Sequence, residues 1–391
     1  MRPAEAEATE PWNGPIARLR YTPGFDGLRA VSVLAVVLVH SWPQFPGYPV
    51  RVDTFFVLSG FLITWKFLEE WSASGRINVR NFYIRRFLRL APALWAMLAG
   101  TFLVFAASGM PAALSGNLQA DALGAVFYVS NWTQALGLRT SVLYGQTWSL
   151  SLEEQFYVAW AAALPFCLRR WGIGRTRSVT LAAILVLGLY RTSLVLWGAS
   201  AARVYFGFDT HVDACLAGCL LALCLAQPRV PEQARAWFAR LRYAPEAAVL
   251  GLVAVSALAT IRKPQDVAMF VPVDYLLSAV IIASIFLEVG LVRKILQWPI
   301  LVRIGTISYG IYLWHYPLMM GIRYAPRFLP PSQRSALLLG LCGGIAMASV
   351  SYRLIERPCL RLRSRFPGAR VRARPPRECL DNPIPLPASE S

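Results

Sequence analysis

Ten apolar stretches of about 15–23 residues, separated by short basic segments, constrain this chain more than any other feature: 27–43, 52–67, 90–108, 152–168, 178–198, 210–227, 244–261, 268–290, 304–324 and 335–356. A helix needs about 20 mostly apolar residues to cross the hydrocarbon layer of a bilayer, and a soluble domain has no use for ten such segments. Hydrophobic residues make up 56% of the 391, above the roughly 45–50% of soluble domains. The solvent is therefore lipid, and the sequence predicts an all-α, polytopic integral membrane protein with about ten transmembrane helices in the plasma (inner) membrane. An eleventh candidate, Ala120 to Trp132, is short and interrupted by Asp121, Ser130 and Asn131.

Charge orders these segments. The formal net charge is +18, from 39 Lys and Arg against 21 Asp and Glu. With an internal N-terminus, 30 of the 39 fall in cytoplasmic segments and 8 in external loops, with Arg191 inside a span. That is the positive-inside pattern, and it puts both termini in the cytoplasm. A crossing at 120–132 would move Arg169, Arg170, Arg175 and Arg177 outside, so 108–151 is expected to be a long external loop that folds back toward the membrane. The same distribution argues against a nucleic-acid partner, since no basic stripe is interleaved with aromatics and no DNA-binding spacing appears.

Three regions follow: a cytoplasmic N-terminal segment 1–21, a transmembrane domain 22–363, and a basic, then proline-rich tail 364–391 with little to bury. Glu5, Glu7 and Glu10 make the N-terminus unlike a signal peptide. The seven cysteines contain no CxxC pair and imply no disulfide framework. With three histidines far apart in sequence, no metal site is expected.

Several polar groups stand out against this apolar background. Arg29 and His40 are eleven positions apart in the first span, about 20° around a helix and roughly 16 Å along it. They share one face, with Arg29 at the inner boundary and His40 deep in the outer half. A guanidinium suits a phosphate, and an uncharged imidazole can accept a proton; alternatively, the Arg snorkels and the His bonds a neighbouring helix. Arg85, Arg86 and Arg89 fall within four residues of one another and cluster on a helix, either to hold phosphates or to anchor the inner boundary. Glu153 and Glu154 open the fourth span at its external boundary, where a carboxylate either orients His40 or an acceptor hydroxyl, or simply favours the helix N-terminus. Ser308, Tyr312 and His315 form a polar stripe at i, i+4, i+7, suited to interhelical hydrogen bonds or to a cavity wall.

Together these strings resemble the membrane-bound acyltransferase family 3. The motifs are Phe25-Asp26-Gly27-Leu28-Arg29 with ten residues before His40, Val52-Asp53 through Ser59-Gly60-Phe61-Leu62, Arg85-Arg86-Phe87-Leu88-Arg89, and Trp148-Ser149 to Glu153. Ser308-Tyr309 to His315-Tyr316-Pro317 and Ser351-Tyr352-Arg353 to Glu356-Arg357-Pro358 complete the match, which runs from about 22 to 363. The resemblance implies a ten-helix enzyme with no tightly bound cofactor. It would take acetyl-coenzyme A or another acyl-coenzyme A from the cytoplasm and transfer the acyl group to a hydroxyl of a glycan or glycosylated small molecule. It carries a catalytic role to His40 and Glu153, and coenzyme A binding to Arg29, Arg85, Arg86 and Arg89. Acceptor contacts are expected from Asp53, Trp148, Ser149, Tyr312 and His315. One departure is His211, where the family pattern leads us to expect an Arg ahead of Asp213. Some relatives also add a soluble extracytoplasmic hydrolase-like domain; here such a module is expected to be unnecessary or to lie on a separate protein.

In the expected mechanism the arginines hold the coenzyme A phosphates, the pantetheine arm rises between the spans, and His40 acts as general base on the acceptor hydroxyl or carries the acyl group itself. The competing reading is a transporter or flippase for a lipid-linked or small polar substrate. It accounts for the intramembrane polar groups but gives no reason for aligning a basic inner rim with a single deep imidazole.

Overall fold

The computed structural model describes residues 16, 19–41, 50–107, 112–138, 143–227, 229–260, 262–324, 332–363 and 366. Among these every regular element is helical. In chain order the helices are α1 (Pro23–Ser41), α2 (Val50–Ser74), α3 (Val79–Ala107), α4 (Ala112–Val126), α5 (Ser130–Ala135), α6 (Thr147–Leu196), α7 (Ala201–Phe206) and α8 (Phe208–His211). They continue with α9 (Asp213–Leu225), α10 (Val230–Arg240), α11 (Ala244–Leu258), α12 (Pro264–Phe286), α13 (Gly290–Leu296), α14 (Pro299–Thr306) and α15 (Ser308–Tyr324). The last, α16 (Gln333–Leu362), is one run that takes in π-turns at Leu339–Gly343 and Tyr352–Glu356.

Each of the ten apolar stretches has most of its described residues in these helices. Five helices, α1, α3, α6, α12 and α16, are long and apolar enough to cross a membrane, or six if α9 and α10 form one broken span. The others fall short for visible reasons: α9, α11 and α15 have 13, 15 and 17 residues, and α2 carries Asp53, Lys66, Glu69 and Glu70. Large apolar side chains such as Leu189, Leu196, Leu250 and Leu354 are 70–80% exposed on the outside, while Asp53, Arg191, His211, Asp213, Asp274 and His315 are 0% exposed inside. This is the reverse of a soluble protein, and it makes the chain a multi-pass membrane protein.

Helix α6 contains two of the predicted spans. Its 50 residues would run about 75 Å if straight, far more than a bilayer's hydrocarbon thickness. Gly172, at φ 68°, breaks it in a conformation that only glycine adopts readily, and Arg169, Arg170, Arg175 and Arg177 flank the break. The segment 120–132 is not one continuous helix either. A turn at Phe127–Val129, with Tyr128 at φ 54°, separates α4 from α5. The chain there folds back onto the start of α6: Gln155 Nε2 donates to the Tyr128 carbonyl and to Asn131 Oδ1, at 2.7 and 2.8 Å.

Helices α2 and α9 cross in close contact because both offer glycine. A Cβ on Gly60 would collide with the Cys215 carbonyl, and one on Gly218 with the Val57 carbonyl. Small residues of this kind let membrane helices approach backbone to backbone.

The second half of α6 is tied to α9 by a charge pair. Arg191 Nη1 donates to Asp213 Oδ2 at 2.7 Å and to the Thr210 carbonyl at 2.9 Å, and both charged side chains are 0% exposed. A guanidinium therefore does reach Asp213, but from the preceding span rather than from position 211. Removing one partner of such a pair leaves the other charged and unsolvated, at a cost of about 3–5 kcal/mol. Arg191→Met should therefore lower the unfolding midpoint of the detergent-solubilised protein strongly, and Arg191→Met with Asp213→Leu should recover most of it. A double variant no more stable than the single one would contradict the pairing.

Candidate active site

A cavity of about 220 Å³ lies between α1, α2, α3, α6 and α15. Helical periodicity builds its walls. Along α2, Phe55, Ser59, Leu62, Lys66 and Glu70 follow one another at three or four residues and all face it. Phe82, Arg85, Arg86 and Arg89 do the same on α3, and Ser149, Glu153 and Tyr157 on α6. Arg29 contributes from α1, and Ser308, Tyr309 and Tyr312 from α15. The N-terminal end of α1, the C-terminal end of α2 and the N-terminal end of α3 thus bring Arg29, Lys66, Arg85, Arg86 and Arg89 together. Hydroxyls, carboxylates and apolar side chains such as Phe55, Leu62, Phe82 and Leu150 line the rest.

Each cation has a neighbour. Arg29 Nη1 donates to Asp26 Oδ1 at 2.9 Å. Arg85 Nη1 donates to the Phe366 carbonyl at 3.1 Å. Arg89 acts electrostatically on Glu356 of α16. Arg86 is the most committed: its Nε donates to Glu154 Oε1 at 2.6 Å, its Nη2 is 3.9 Å from Glu153 Oε2, and its guanidinium carbon lies 3.4 Å from the centre of the Tyr157 ring. Its charge is therefore answered from within the protein, and its geometric effect is to hold Glu153 at the cavity wall. The contact corrects the expectation that Arg86 lies at the inner boundary and Glu153 and Glu154 at the external one, since these groups touch. Ser59 Oγ completes the clamp, donating to Glu153 Oε1 at 2.6 Å.

Along α15 the cavity lining reaches no further than Tyr312. The Tyr312 hydroxyl donates to the Gln146 carbonyl at 2.8 Å and shares a 2.6 Å hydrogen bond with Ser149. Pro317, inside α15, has no N–H to offer the Leu313 carbonyl four residues earlier. Gln146 Nε2 takes its place, donating to Leu313 O at 3.0 Å. The proline thus frees an acceptor that locks α15 to the start of α6, next to the Ser149–Tyr312 contact.

His40 and His315 lie just beyond. Their rings are 3° from parallel with centres 5.2 Å apart, and His40 Nδ1 is 2.9 Å from His315 Nε2. The Tyr312 ring is 5.6 Å from that of His315. Arg29 lines the cavity and His40, half-buried, does not; Tyr312 and His315 connect the two. The α1 stripe between Arg29 and His40 runs through Val33 and Val36, 0% and 2% exposed, so this face points into the bundle and away from lipid.

Three expected acceptor contacts are not among the cavity's lining residues: His315, which lies beyond Tyr312, and Asp53 and Trp148. Asp53 is 0% exposed, with Oδ1 2.5 Å from His211 Nε2, and Asp274 faces the same carboxyl. Trp148 packs among Phe56, Tyr205, Phe206 and His211. Neither Asp53 nor Trp148 lines the cavity. The sequence reading missed Ser59, Lys66 and Glu70; their spacing along α2 was the available signal. Among the described residues no three His, Cys, Asp or Glu side chains gather as metal ligands.

Comparison with known proteins adds a second line of evidence. The peptidoglycan O-acetyltransferase OatA of Listeria monocytogenes is 34% identical over 362 residues, covering 87% of this chain and 56% of the relative. The O-acetyltransferase OatA of Staphylococcus aureus is 31% identical over 358 residues, covering 87% and 57%. The chain thus spans just over half the length of the curated relatives it matches. No solved structure matches it. The model of the family described as "Acyltransferase domain" (Acyl_transf_3) matches residues 22–355, almost all of the transmembrane region, and the chain belongs to that family.

Proposed function

We propose that this protein is an integral membrane O-acyltransferase, moving an acyl group, most simply acetyl, from cytoplasmic acyl-coenzyme A to a hydroxyl of a sugar-containing acceptor. The observation that carries the reading is a cavity with a cationic end at Arg29, Lys66, Arg85 and Arg89 and a hydroxyl-lined end at Ser149 and Tyr312, beside the paired imidazoles. Such a cavity suits an elongated ligand with phosphates at one end and a reactive carbonyl at the other. The fold is read with ten crossings and both termini in the cytoplasm, supported by ten apolar stretches on helices and by four arginines around the Gly172 break. The relatives named O-acetyltransferases support acetyl as the group moved, and the peptidoglycan in one name supports a glycan acceptor.

In this mechanism Arg29, Arg85, Arg89 and Lys66 hold the phosphates. The pantetheine arm follows the α2 stripe past Ser59 and Glu153, and the thioester reaches the Tyr312 end. There His40 accepts the proton of the acceptor hydroxyl as its oxygen attacks the carbonyl. Coenzyme A leaves as the thiol and the product is an ester. Arg86 is reassigned from phosphate binding to positioning Glu153, because its charge is already matched by Glu153 and Glu154.

Two measurements test this reading. Membranes containing the protein should release coenzyme A thiol from acetyl-coenzyme A when an acceptor glycan is present, and His40→Ala should lower kcat by about 10²–10⁴-fold, the usual worth of a general base. Absence of thiol release with every acceptor, while His40→Ala still abolishes movement of a substrate across the membrane, would mean transport instead. Separately, Arg29→Ala and Arg89→Ala should each raise KM for acetyl-coenzyme A about tenfold or more, the worth of a charge-assisted hydrogen bond, with a smaller effect on kcat. Unchanged KM in both would remove the phosphate site from the account.

A further inference from the structure

We infer that His315 fixes the tautomer of His40, leaving Nε2 of His40 as the proton-accepting atom; this rests on the reading of His40 as the base. The argument starts at the far end of the pair. His315 is wholly buried, and its Nδ1 lies 2.7 Å from the Tyr312 carbonyl oxygen and 3.2 Å from that of Ile311. Carbonyl oxygens only accept hydrogen bonds, so Nδ1 carries the hydrogen and the Nε2 of the uncharged ring presents a lone pair. That lone pair faces His40 Nδ1 at 2.9 Å, so the hydrogen between the rings belongs to His40 Nδ1. The remaining nitrogen of His40, Nε2, then bears no hydrogen.

The ring geometry agrees with this assignment. With planes 3° apart and centres separated by 5.2 Å, the two nitrogens lie on the line between the ring centres, and the N–H···N bond is linear and in the plane of both rings. Tyr316 stands edge-on to His40, at 79° with centres 5.2 Å apart, and limits rotation of that ring. The bonds Tyr312 C=O···H–Nδ1 of His315 and Nε2 of His315···H–Nδ1 of His40 thus form a chain that orients the base, as a buried acceptor orients histidine in other general-base sites.

The chain also has a part in the transfer step. The hydroxyl oxygen bonds to the thioester carbon, the C–S bond breaks, and the hydroxyl proton passes to His40 Nε2 and then to the departing thiolate. While His40 holds that proton, its Nδ1 hydrogen can shift toward His315 Nε2, spreading the charge over two rings. The outer ring rests against the Tyr312 and Ile311 carbonyl dipoles. His315 is a positioning residue in this scheme and touches neither substrate.

The chain has only three histidines, His40, His211 and His315, so ¹⁵N-histidine NMR of the detergent-solubilised protein can read the tautomer directly, with His40→Gln assigning the signal. The expected result is a protonated Nδ1 and a bare Nε2 on His40; a protonated Nε2 would overturn the inference. In parallel, His315→Phe fills the space but accepts no hydrogen bond, and should lower kcat about 10²-fold with little change in KM for acetyl-coenzyme A. His315→Gln, which offers an amide oxygen to His40 Nδ1, should restore at least tenfold of that loss. Equal impairment of the two variants, or a His315→Phe kcat within about threefold of the parent, would overturn the positioning role. An active His40→Ala variant would sink the base reading itself, while leaving the measured tautomer intact.

Discussion

Lipid cannot solvate a charge, so each ionised group inside this bundle has to be answered by another part of the protein. The pairing of Arg86 on α3 with Glu153 and Glu154 on α6 is where that requirement shapes the site. One guanidinium meets two carboxylates and a Tyr157 ring, and in doing so it fixes the distance between the helices that form two walls of the cavity. Ser59 ties the third wall to the same carboxylate. Hydrogen bonds from Tyr83 to the Tyr157 carbonyl and from Tyr309 to the Leu90 carbonyl tie the same walls together, but this cluster is where charge joins them.

The same constraint operates away from the cavity and gives the fold its rigid frame. Arg191 and Asp213 pair without solvent, and Asp53 meets His211. The Gly60 and Gly218 contacts bring α2 and α9 together at backbone distance. Helix α2 is thereby seated by close packing and by a polar contact along the one face that carries Asp53 and Gly60. That seating places its stripe of Ser59, Lys66 and Glu70 at the cavity.

Much of this was legible in the sequence, because a bilayer imposes a length and a charge bias that leave little freedom. The ten apolar stretches lie mostly on helices, and the spacing of Arg29 and His40 does put both on a face turned into the bundle. The segment 120–132, set aside as a crossing on charge, is broken by a turn at Phe127–Val129. Partner choice was less legible. Position 86 reads as one of three equivalent arginines, yet only the packing of α3 on α6 reveals that its charge is consumed internally. Asp53 and Trp148 sit in motifs shared with a family and look like contacts for a ligand; the structure puts both outside the cavity lining, Asp53 against His211 and Trp148 among aromatic rings, a placement that depends on how the helices pack. The absence of Arg at position 211 looked like a lost contact; an arginine 22 residues before Asp213 reaches that carboxylate instead, and no local pattern announces such a pairing.

What unites these elements is a single axis. A cationic end collects Arg29, Lys66, Arg85 and Arg89, a clamp holds Glu153 midway, and Tyr312 leads to two imidazoles whose ring planes coincide. The most direct measurement of that axis is a cryo-electron-microscopy map of the protein with a non-transferable thioether analogue of acetyl-coenzyme A. The account predicts phosphate density against Arg29, Arg85 and Arg89, with the chain ending beside Tyr312 within reach of His40. Density for the analogue outside this cavity, or running in the opposite sense with its phosphates at the histidine end, would contradict it.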